Sequence, residues 1–293
     1  MDEYHPSALL RETVEFFHRL PKGARILDAT LGHGGHAKAL LDAGFTITGL
    51  DLDAQALAKT EKRLPKLETI LGKHSDLPAL LGERKFDGVL ADLGIRLDQL
   101  EGDGMSFHST EPPDMRLDPT TTETAIDLLL RLDKEGIKRL FCEGGVRAAS
   151  LLSSRVDKNR DRLERMDCQD LARLLSEPGT HKRHPATRAF MALRRAVNDE
   201  EGELCALLAA LPLLLNRGGI AVLIAWHQNE DLPVKRSFKR WERMGIGTIL
   251  TPKPLRPTPS EIKENPRSRS ARLRAIEWSP ATAYPIQHKE IHT

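Results

Sequence analysis

Three aspartates each end a short apolar run of the kind that forms a buried β-strand. They are Asp28 in "RILD", Asp51 in "TITGLD" and Asp92 in "DGVLAD". Open α/β sheets bind ligands at the carboxyl ends of their strands, so these positions predict a shared site. There Asp51 can accept hydrogen bonds from both hydroxyls of a ribose, and Asp92 can hold the N–H groups of an amine.

A glycine-rich turn, "LGHGGHA", separates the first of these runs from a helical pattern. Glycine has no side chain in the way, so backbone there can approach a ligand closely, and the following helix presents unpaired N–H groups. Gly32, Gly34 and Ala37 match the G-x-G-x-x-A dinucleotide fingerprint, with Asp51 and Asp53 about 20 residues further on. On this spacing alone, a NAD-dependent oxidoreductase is an alternative function for the protein.

Asp28 favours a different cofactor. A carboxylate directly before the glycine turn would repel a pyrophosphate, whereas a ligand with a cationic amino group and no phosphate would suit it. S-adenosylmethionine is such a ligand, and the order of acid, glycines and second acid fits it. A purely structural interpretation, in which Asp28 caps a turn that the glycines shape, stays open.

β-rich runs and helical patterns alternate along the chain, and this order predicts the elements that position the acids. The runs are "ARILDAT", "FTITGLDLD", "ETILG", "FDGVLADLG" and "GIAVLIAWH", with "MGIGTILTPK" and "ARLRAIEW" as two more strands at the C-terminal edge. The predicted fold class is α/β, with a doubly wound, mostly parallel sheet covered by helices on both faces.

A helical segment interrupts this alternation between the fourth and fifth runs, which are more than a hundred residues apart. Because a crossover needs only one helix, we predict a helical subdomain inserted at 119–181, with 1–118 and 182–293 forming the sheet domain. One long helix, "HPATRAFMALRRAVNDEEGELCALLAALPLLL", is expected to follow it, with Pro185 in its first turn.

The composition of the 293 residues predicts a cytoplasmic protein without a metal site. The 40% hydrophobic content is enough for a sizeable core, and the net charge is only +2. The three cysteines form no CxxC pair and suit a reducing compartment. The N-terminal stretch lacks a signal-peptide core, and no apolar run approaches the roughly 20 residues of a membrane span.

Clusters of basic residues are candidates for contact with RNA phosphates. Their members are Arg267, Arg269, Arg272 and Arg274; Lys182, Arg183 and Arg188; and Lys235, Arg236, Lys239 and Arg240. A solvated basic face is the alternative for any one cluster. Arg116, between Asp114 and Asp118, is expected to form a salt bridge.

Taken together, the motifs resemble those of the bacterial small-subunit ribosomal RNA cytosine methyltransferases, the RsmH (MraW) type. The stretches that carry the resemblance are "HPSALLRETVEFF", "DATLGHGGHAKALL", "DGVLADLG", "SFHSTEPPDMRLDPT", "HPATRAFMALRRAVNDEEGEL" and "NPRSRSARLR". The resemblance implies a Rossmann-like class I methyltransferase that transfers a methyl group from S-adenosylmethionine to the exocyclic N4 of a cytidine. It implies small-subunit ribosomal RNA in an assembled or nearly assembled subunit as the partner; a homodimer is compatible with the sequence.

The resemblance also implies site residues. Those expected to contact the cofactor are Gly34, Gly35, His36, Asp51, Asp92 and Gln99, together with His74 where the family usually has a Phe. Asp92 is the predicted catalytic residue. Those expected to bind the substrate are Arg188, His227, Arg267 and Arg269.

Departures from the family concentrate on the substrate side. The Ser-Ser pair after Asp-Leu-Gly reads Arg96 and Leu97 here, and Tyr-Gly-Glu-Glu-Arg reads "EGGVR", so both glutamates are lost. Ser-Phe-His-Ser-Leu-Glu-Asp-Arg reads "AWHQNEDL". A paralogue that binds S-adenosylmethionine and RNA with weakened transfer therefore stays open beside the active enzyme.

Overall fold

The computed structural model describes residues 6–94, 104–179 and 184–279. The chain divides into two compact units, of which the first is Met1–Gly94 with Gly202–Thr293 and the second is Ile95–Glu201. The predicted insertion at 119–181 falls within the second unit, which extends further in both directions.

The sheet belongs to the first unit. Its strands are β1 (Arg25–Asp28), β2 (Thr46–Asp51), β3 (Glu68–Leu71), β4 (Phe86–Asp92), β5 (Leu215–Ala225), β6 (Gly247–Ile249) and β7 (Arg272–Trp278). They lie in the order β3-β2-β1-β4-β5-β7-β6, with β7 antiparallel to both of its neighbours and the other pairs parallel. The predicted doubly wound, mostly parallel sheet is confirmed.

Helices follow most of the strands and also make up the second unit. They are α1 (Leu10–Phe17), α2 (Gly35–Asp42), α3 (Ala54–Arg63), α4 (Leu77–Leu81), α5 (Ala125–Arg131), α6 (Lys134–Glu143), α7 (Ala149–Lys158), α8 (Cys168–Leu174), α9 (Thr187–Val197), α10 (Glu200–Leu214), α11 (Gln228–Arg243) and α12 (Pro259–Glu264). Short 3-10 helices lie at His74–Asp76, Arg160–Arg165 and Pro266–Ser270. Along the described part of the chain, no helix is both long and apolar enough to cross a membrane.

Apolar side chains cover both faces of the sheet, because successive residues of a strand point to opposite faces. Leu27 and Val89 belong to one buried cluster, whereas Ile26 and Leu90 belong to the other. A sheet buried on both faces explains why its strands read as continuous apolar runs rather than as alternating ones.

The second unit has its own apolar core, built from side chains of its helices. Helix α6 ends in a Schellman motif, in which the Val146 N–H donates to the Phe141 carbonyl and the Gly145 N–H to that of Cys142. Gly145 has a φ of 74°, which favours glycine, and Val146 is buried. Gly145 and Val146 occupy the positions at which the resembling family has two glutamates. In this chain the two replacements form the C-terminal cap of α6, with an apolar side chain in place of a charged one.

The prediction of one long helix over 184–215 is wrong, because α9 ends at Val197 and α10 begins at Glu200. Asn198 lies at the break, where its side chain accepts a hydrogen bond from the Leu117 N–H at 2.7 Å and donates to the Met115 carbonyl at 2.7 Å. Asp199 follows with a φ of 43°. Pro185 precedes the first helical turn rather than lying in it.

Candidate active site

The three aspartates of the sequence pattern lie at the same edge of the sheet. Asp28 pairs with Gly49 of β2 on one side and with Leu90 of β4 on the other, so Asp51 and Asp92 lie close by. The order of strands changes direction at β1, and a crevice for ligands opens at such a point in α/β sheets. The structure therefore brings the acids together as the pattern predicts.

Asp51 holds the glycine turn. Its Oδ2 accepts a hydrogen bond from the Gly32 N–H at 2.6 Å, and its Oδ1 accepts one from the Asp53 N–H at 2.9 Å. Asp53 has a different task, since its carboxylate accepts from the N–H groups of Gln55 and Ala56 and caps α3.

The last two glycines of the turn leave no room for a side chain. Gly34 precedes α2 with a φ of 69°, and a Cβ there would lie 2.7 Å from the Cγ2 of buried Thr60. A Cβ at Gly35 would clash with the Ser7 hydroxyl. The predicted cofactor residues Gly34 and Gly35 are thus required by packing at the start of α2, and their contact with a cofactor stays a prediction.

Asp28 is buried, with 2% of its surface exposed. Burial raises the pKa of its carboxyl from 3.8 to about 6, although His36 and a hydrogen bond from the Thr30 N–H lower it in part. The neighbouring charges of Asp92 and Asp51 raise the pKa further. A cationic group bound beside this edge would favour the ionised form of Asp28.

His36 is the buried imidazole of the site, with 6% exposure. Its Nε2 lies 3.7 Å from Asp92 Oδ2, and among the described residues neither ring nitrogen has a hydrogen-bond partner. Buried polar atoms are nearly always paired with protein or ordered water, so both ring nitrogens are available to a ligand or a water at this edge.

Asp92 is held by two contacts. Its N–H donates to the Thr30 hydroxyl at 2.6 Å, and its carboxylate Oδ1 accepts from the Trp226 indole N–H at 2.9 Å. Sequence reasoning missed the role of Trp226, although a tryptophan directly after the fifth strand is a signal for it, since that strand also ends at this edge.

His74 lies in the 3-10 helix that follows β3. Its Nε2 is 2.9 Å from the Ala29 carbonyl, in the segment between β1 and the glycine turn. Burial lowers the pKa of this imidazole. The ring is thus close to the cofactor edge, and its stacking on adenine stays a prediction.

His227 precedes α11, next to Trp226. Its Nε2 lies 2.7 Å from Glu230 Oε1, and Glu230 Oε2 accepts a hydrogen bond from the Trp226 N–H at 2.7 Å. Its role in binding the substrate stays a prediction.

The C-terminal arginines do not all face solvent. Arg267 and Arg269 are exposed on the 3-10 helix at Pro266–Ser270. Arg274 is buried and donates two hydrogen bonds to Asp231, at 2.7 and 3.1 Å. The interpretation of Arg274 as part of an RNA-facing cluster is therefore wrong, because its guanidinium forms a buried ion pair.

Two of the arginines with a role predicted from the sequence, Arg188 and Arg116, form ion pairs in the second unit. Arg188 donates to Glu177 at 2.9 Å, and the same carboxylate accepts from the N–H groups of Arg147 and Ala148. Although burial opposes it, these hydrogen bonds lower the pKa of Glu177. Contact of Arg188 with the substrate stays a prediction.

Arg116 donates to both carboxylate oxygens of Asp114, at 2.6 and 2.7 Å, so the predicted salt bridge is confirmed.

Some predicted residues lie outside the described part of the chain. They are Arg96, Leu97, Gln99, Lys182 and Arg183.

Comparison with known proteins gives one family. A sequence profile of the MraW methylase family matches residues 2–279. The chain is 37% identical to ribosomal RNA small subunit methyltransferase H of Thermotoga neapolitana, over 94% of this chain and 96% of that protein. It is 38% identical to the protein of the same name from Synechocystis sp., over 94% of each chain. The Sorangium cellulosum protein of that name is also 38% identical, over 93% of this chain and 90% of its own length.

Proposed function

The chain belongs to the MraW methylase family, and from this premise we propose that it transfers a methyl group from S-adenosylmethionine to the exocyclic N4 of a cytidine in small-subunit ribosomal RNA. The relatives named as ribosomal RNA small subunit methyltransferase H support the substrate class. The observation that carries the proposal is the position of Asp92 at the carboxyl edge of the sheet. Its carboxylate lies beside buried His36, and its backbone N–H donates to the Thr30 hydroxyl.

The residues at this edge fit S-adenosylmethionine. Asp51 ends β2 beside the glycine turn, where its carboxylate accepts from the Gly32 N–H, and this is the place at which a ribose would be held. Buried Asp28 suits a cationic amino group and disfavours a pyrophosphate, while His36 offers ring nitrogens that have no hydrogen-bond partner in the described residues. The NAD-dependent oxidoreductase is set aside, since the methylase profile covers nearly the whole chain.

The reaction needs alignment more than activation by the protein. When bound, S-adenosylmethionine supplies a sulfonium methyl group that is already reactive toward a nucleophile. The exocyclic amine of cytosine is a weak nucleophile because its lone pair is delocalised into the ring. Asp92 accepts a hydrogen bond from this amine, favours its pyramidal form, and takes up the proton that the nitrogen loses as the new N–C bond forms.

The target base must leave a helix or already be unpaired, because an enzyme cannot reach the N4 of a stacked and paired cytidine. Exposed Arg267 and Arg269 are suited to phosphates of the surrounding RNA. We propose that the enzyme acts in the cytoplasm on an assembled or nearly assembled small subunit. The helical segment at 119–181 is the proposed substrate-recognition part. Dimer formation is part of the same proposal.

The paralogue with weakened transfer remains the second candidate, because Arg96 and Leu97 replace two small hydroxyl residues close to the expected target base. In a strain that lacks the gene, mass spectrometry of small-subunit RNA distinguishes the two. The active enzyme predicts loss of one N4-methylated cytidine, restored by the wild-type gene and not by Asp92→Ala. Unchanged RNA, with S-adenosylmethionine bound in calorimetry, would favour the paralogue.

A further inference from the structure

Trp226 and Asp92 are 134 residues apart in the chain, yet they share a hydrogen bond of 2.9 Å. From this contact we propose that Trp226 is a positioning residue, which fixes the Asp92 carboxylate so that one oxygen faces the target amine. The consequence for methyl transfer rests on the proposed function; the hydrogen bond itself does not.

The strand register brings the two side chains together. β4 and β5 are parallel, with Asp92 opposite Ile224, and the Leu93 N–H donates to the Ile224 carbonyl at 2.8 Å. Both chains therefore leave the sheet at the same edge, and Trp226 follows β5 directly. The sheet thus fixes the starting point of each side chain.

Both the backbone and the ring of Trp226 are held. The Trp226 backbone N–H donates to Glu230, a carboxylate that is only 9% exposed. The ring lies over Gly94, where a Cβ would come within 2.8 Å of the indole Cδ1 and 3.2 Å of Nε1. A larger residue at position 94 would displace the ring from Asp92, so the glycine of "ADLG" permits this contact.

The direction of the hydrogen bond decides what Asp92 can do. An indole N–H only donates, so Asp92 Oδ1 is always its acceptor. Asp92 Oδ2 then faces His36 Nε2 at 3.7 Å and stays available to the N–H of an incoming amine. The resembling family has a Phe at this position, and a Phe ring has no donor. This chain therefore adds a contact that locks the plane of the catalytic carboxylate.

Indole NMR tests the contact without any assay of activity. The chain has three tryptophans, so a ¹⁵N-labelled sample gives three indole N–H signals. Trp226→Phe identifies one of them, and Trp241→Phe identifies a buried control in the core. Asp92→Ala should shift the Trp226 signal upfield and speed its exchange with solvent, and leave the Trp241 signal unchanged. If Asp92→Ala changes neither the chemical shift nor the solvent exchange of the Trp226 indole N–H, the proposal is overturned.

Kinetics test the positioning role. Trp226→Phe keeps an aromatic ring and removes one charge-assisted hydrogen bond, so we expect kcat to fall roughly ten- to hundredfold while the Kd for S-adenosylmethionine stays the same. Trp241→Phe should keep the wild-type kcat. An unchanged kcat in Trp226→Phe would contradict the positioning role. If the wild-type protein itself transfers no methyl group to RNA, the proposed function fails instead, and the NMR result still decides the contact.

Discussion

The carboxylate of Asp51 accepts a hydrogen bond from the backbone N–H of Gly32 at 2.6 Å. The acid at the end of β2 and the glycine turn after β1 are therefore one unit, and the residue expected to hold the ribose also holds the backbone that faces it. A change at Asp51 should affect the cofactor through both routes.

We expect Asp51→Ala to weaken S-adenosylmethionine binding by about 1.5–3 kcal/mol, the range for a hydrogen bond to a charged group. Isothermal titration calorimetry measures the loss, with circular dichroism to check the fold. Asp53→Ala is the matched control, because it removes the cap of α3 and should cost about 1 kcal/mol of stability with little loss of affinity. Equal affinity losses in the two variants would show that Asp51 acts only through local folding.

Gly34→Ala should destabilise the chain more than Gly44→Ala does. Both glycines have positive φ, 69° and 92°, so an alanine is strained at either position. Only at Gly34 would the new Cβ meet a buried neighbour, the Cγ2 of Thr60 at 2.7 Å; around Gly44 the space is open. We expect a difference of about 1–3 kcal/mol in the free energy of unfolding, measured with urea. Similar values for both variants would contradict the tight packing of the turn.

The raised pKa of Asp28 predicts a pH dependence of stability. The ordinary pKa of an aspartate, 3.8, applies to the unfolded chain, and the pKa of Asp28 in the folded chain is about 6. Between these pH values the folded chain keeps a proton on Asp28 that the unfolded chain has released. The resulting stability is fully present below about pH 4 and is lost as the pH rises through about 6. Asp28→Asn should thus gain stability relative to wild type between these values. Urea unfolding of both proteins across the range measures it, and a constant difference would argue against the shift.

The same carboxyl should make cofactor binding depend on pH. Ionised Asp28 attracts a cationic amino group, so the affinity of the wild-type protein for S-adenosylmethionine should rise as the pH passes about 6. In Asp28→Asn the dependence should flatten. Calorimetry at several pH values provides the comparison, and parallel pH profiles would place the amino group elsewhere.

Replacing Arg267 and Arg269 together by Ala should weaken RNA binding and lower its dependence on salt. Each lost phosphate contact reduces the slope of log K against log salt concentration by about 0.7–0.9. Arg274→Ala serves as the contrast, since breaking its buried pair with Asp231 should cost about 3–5 kcal/mol of stability. Filter binding at several salt concentrations gives the slope. A slope that matches wild type would identify the exposed pair as a solvated face.

Local patterns of the sequence predicted the strands of this protein. Apolar runs bounded by turn residues predicted all seven strands, and the acids at their ends predicted the edge of the sheet at which Asp28, Asp51 and Asp92 come together. Such patterns are reliable because strand formation and burial on both faces depend on neighbouring residues. The glycine turn was readable for the same reason, since its positive φ angles are a local requirement.

The tertiary structure decided which partner each polar side chain has. The residues around Arg274 in the sequence do not indicate that it pairs with Asp231, so the buried ion pair was not predicted. In the same way, the sequence around Asn198 does not indicate its hydrogen bond with Leu117, and the helix break was not predicted. Trp226 reaches Asp92 only because β5 lies beside β4. Likewise, the pKa of Asp28 depends on how much of the sheet covers it. Burial and pairing between distant residues arise only when the sheet assembles, so they cannot be predicted from residue types and their spacing.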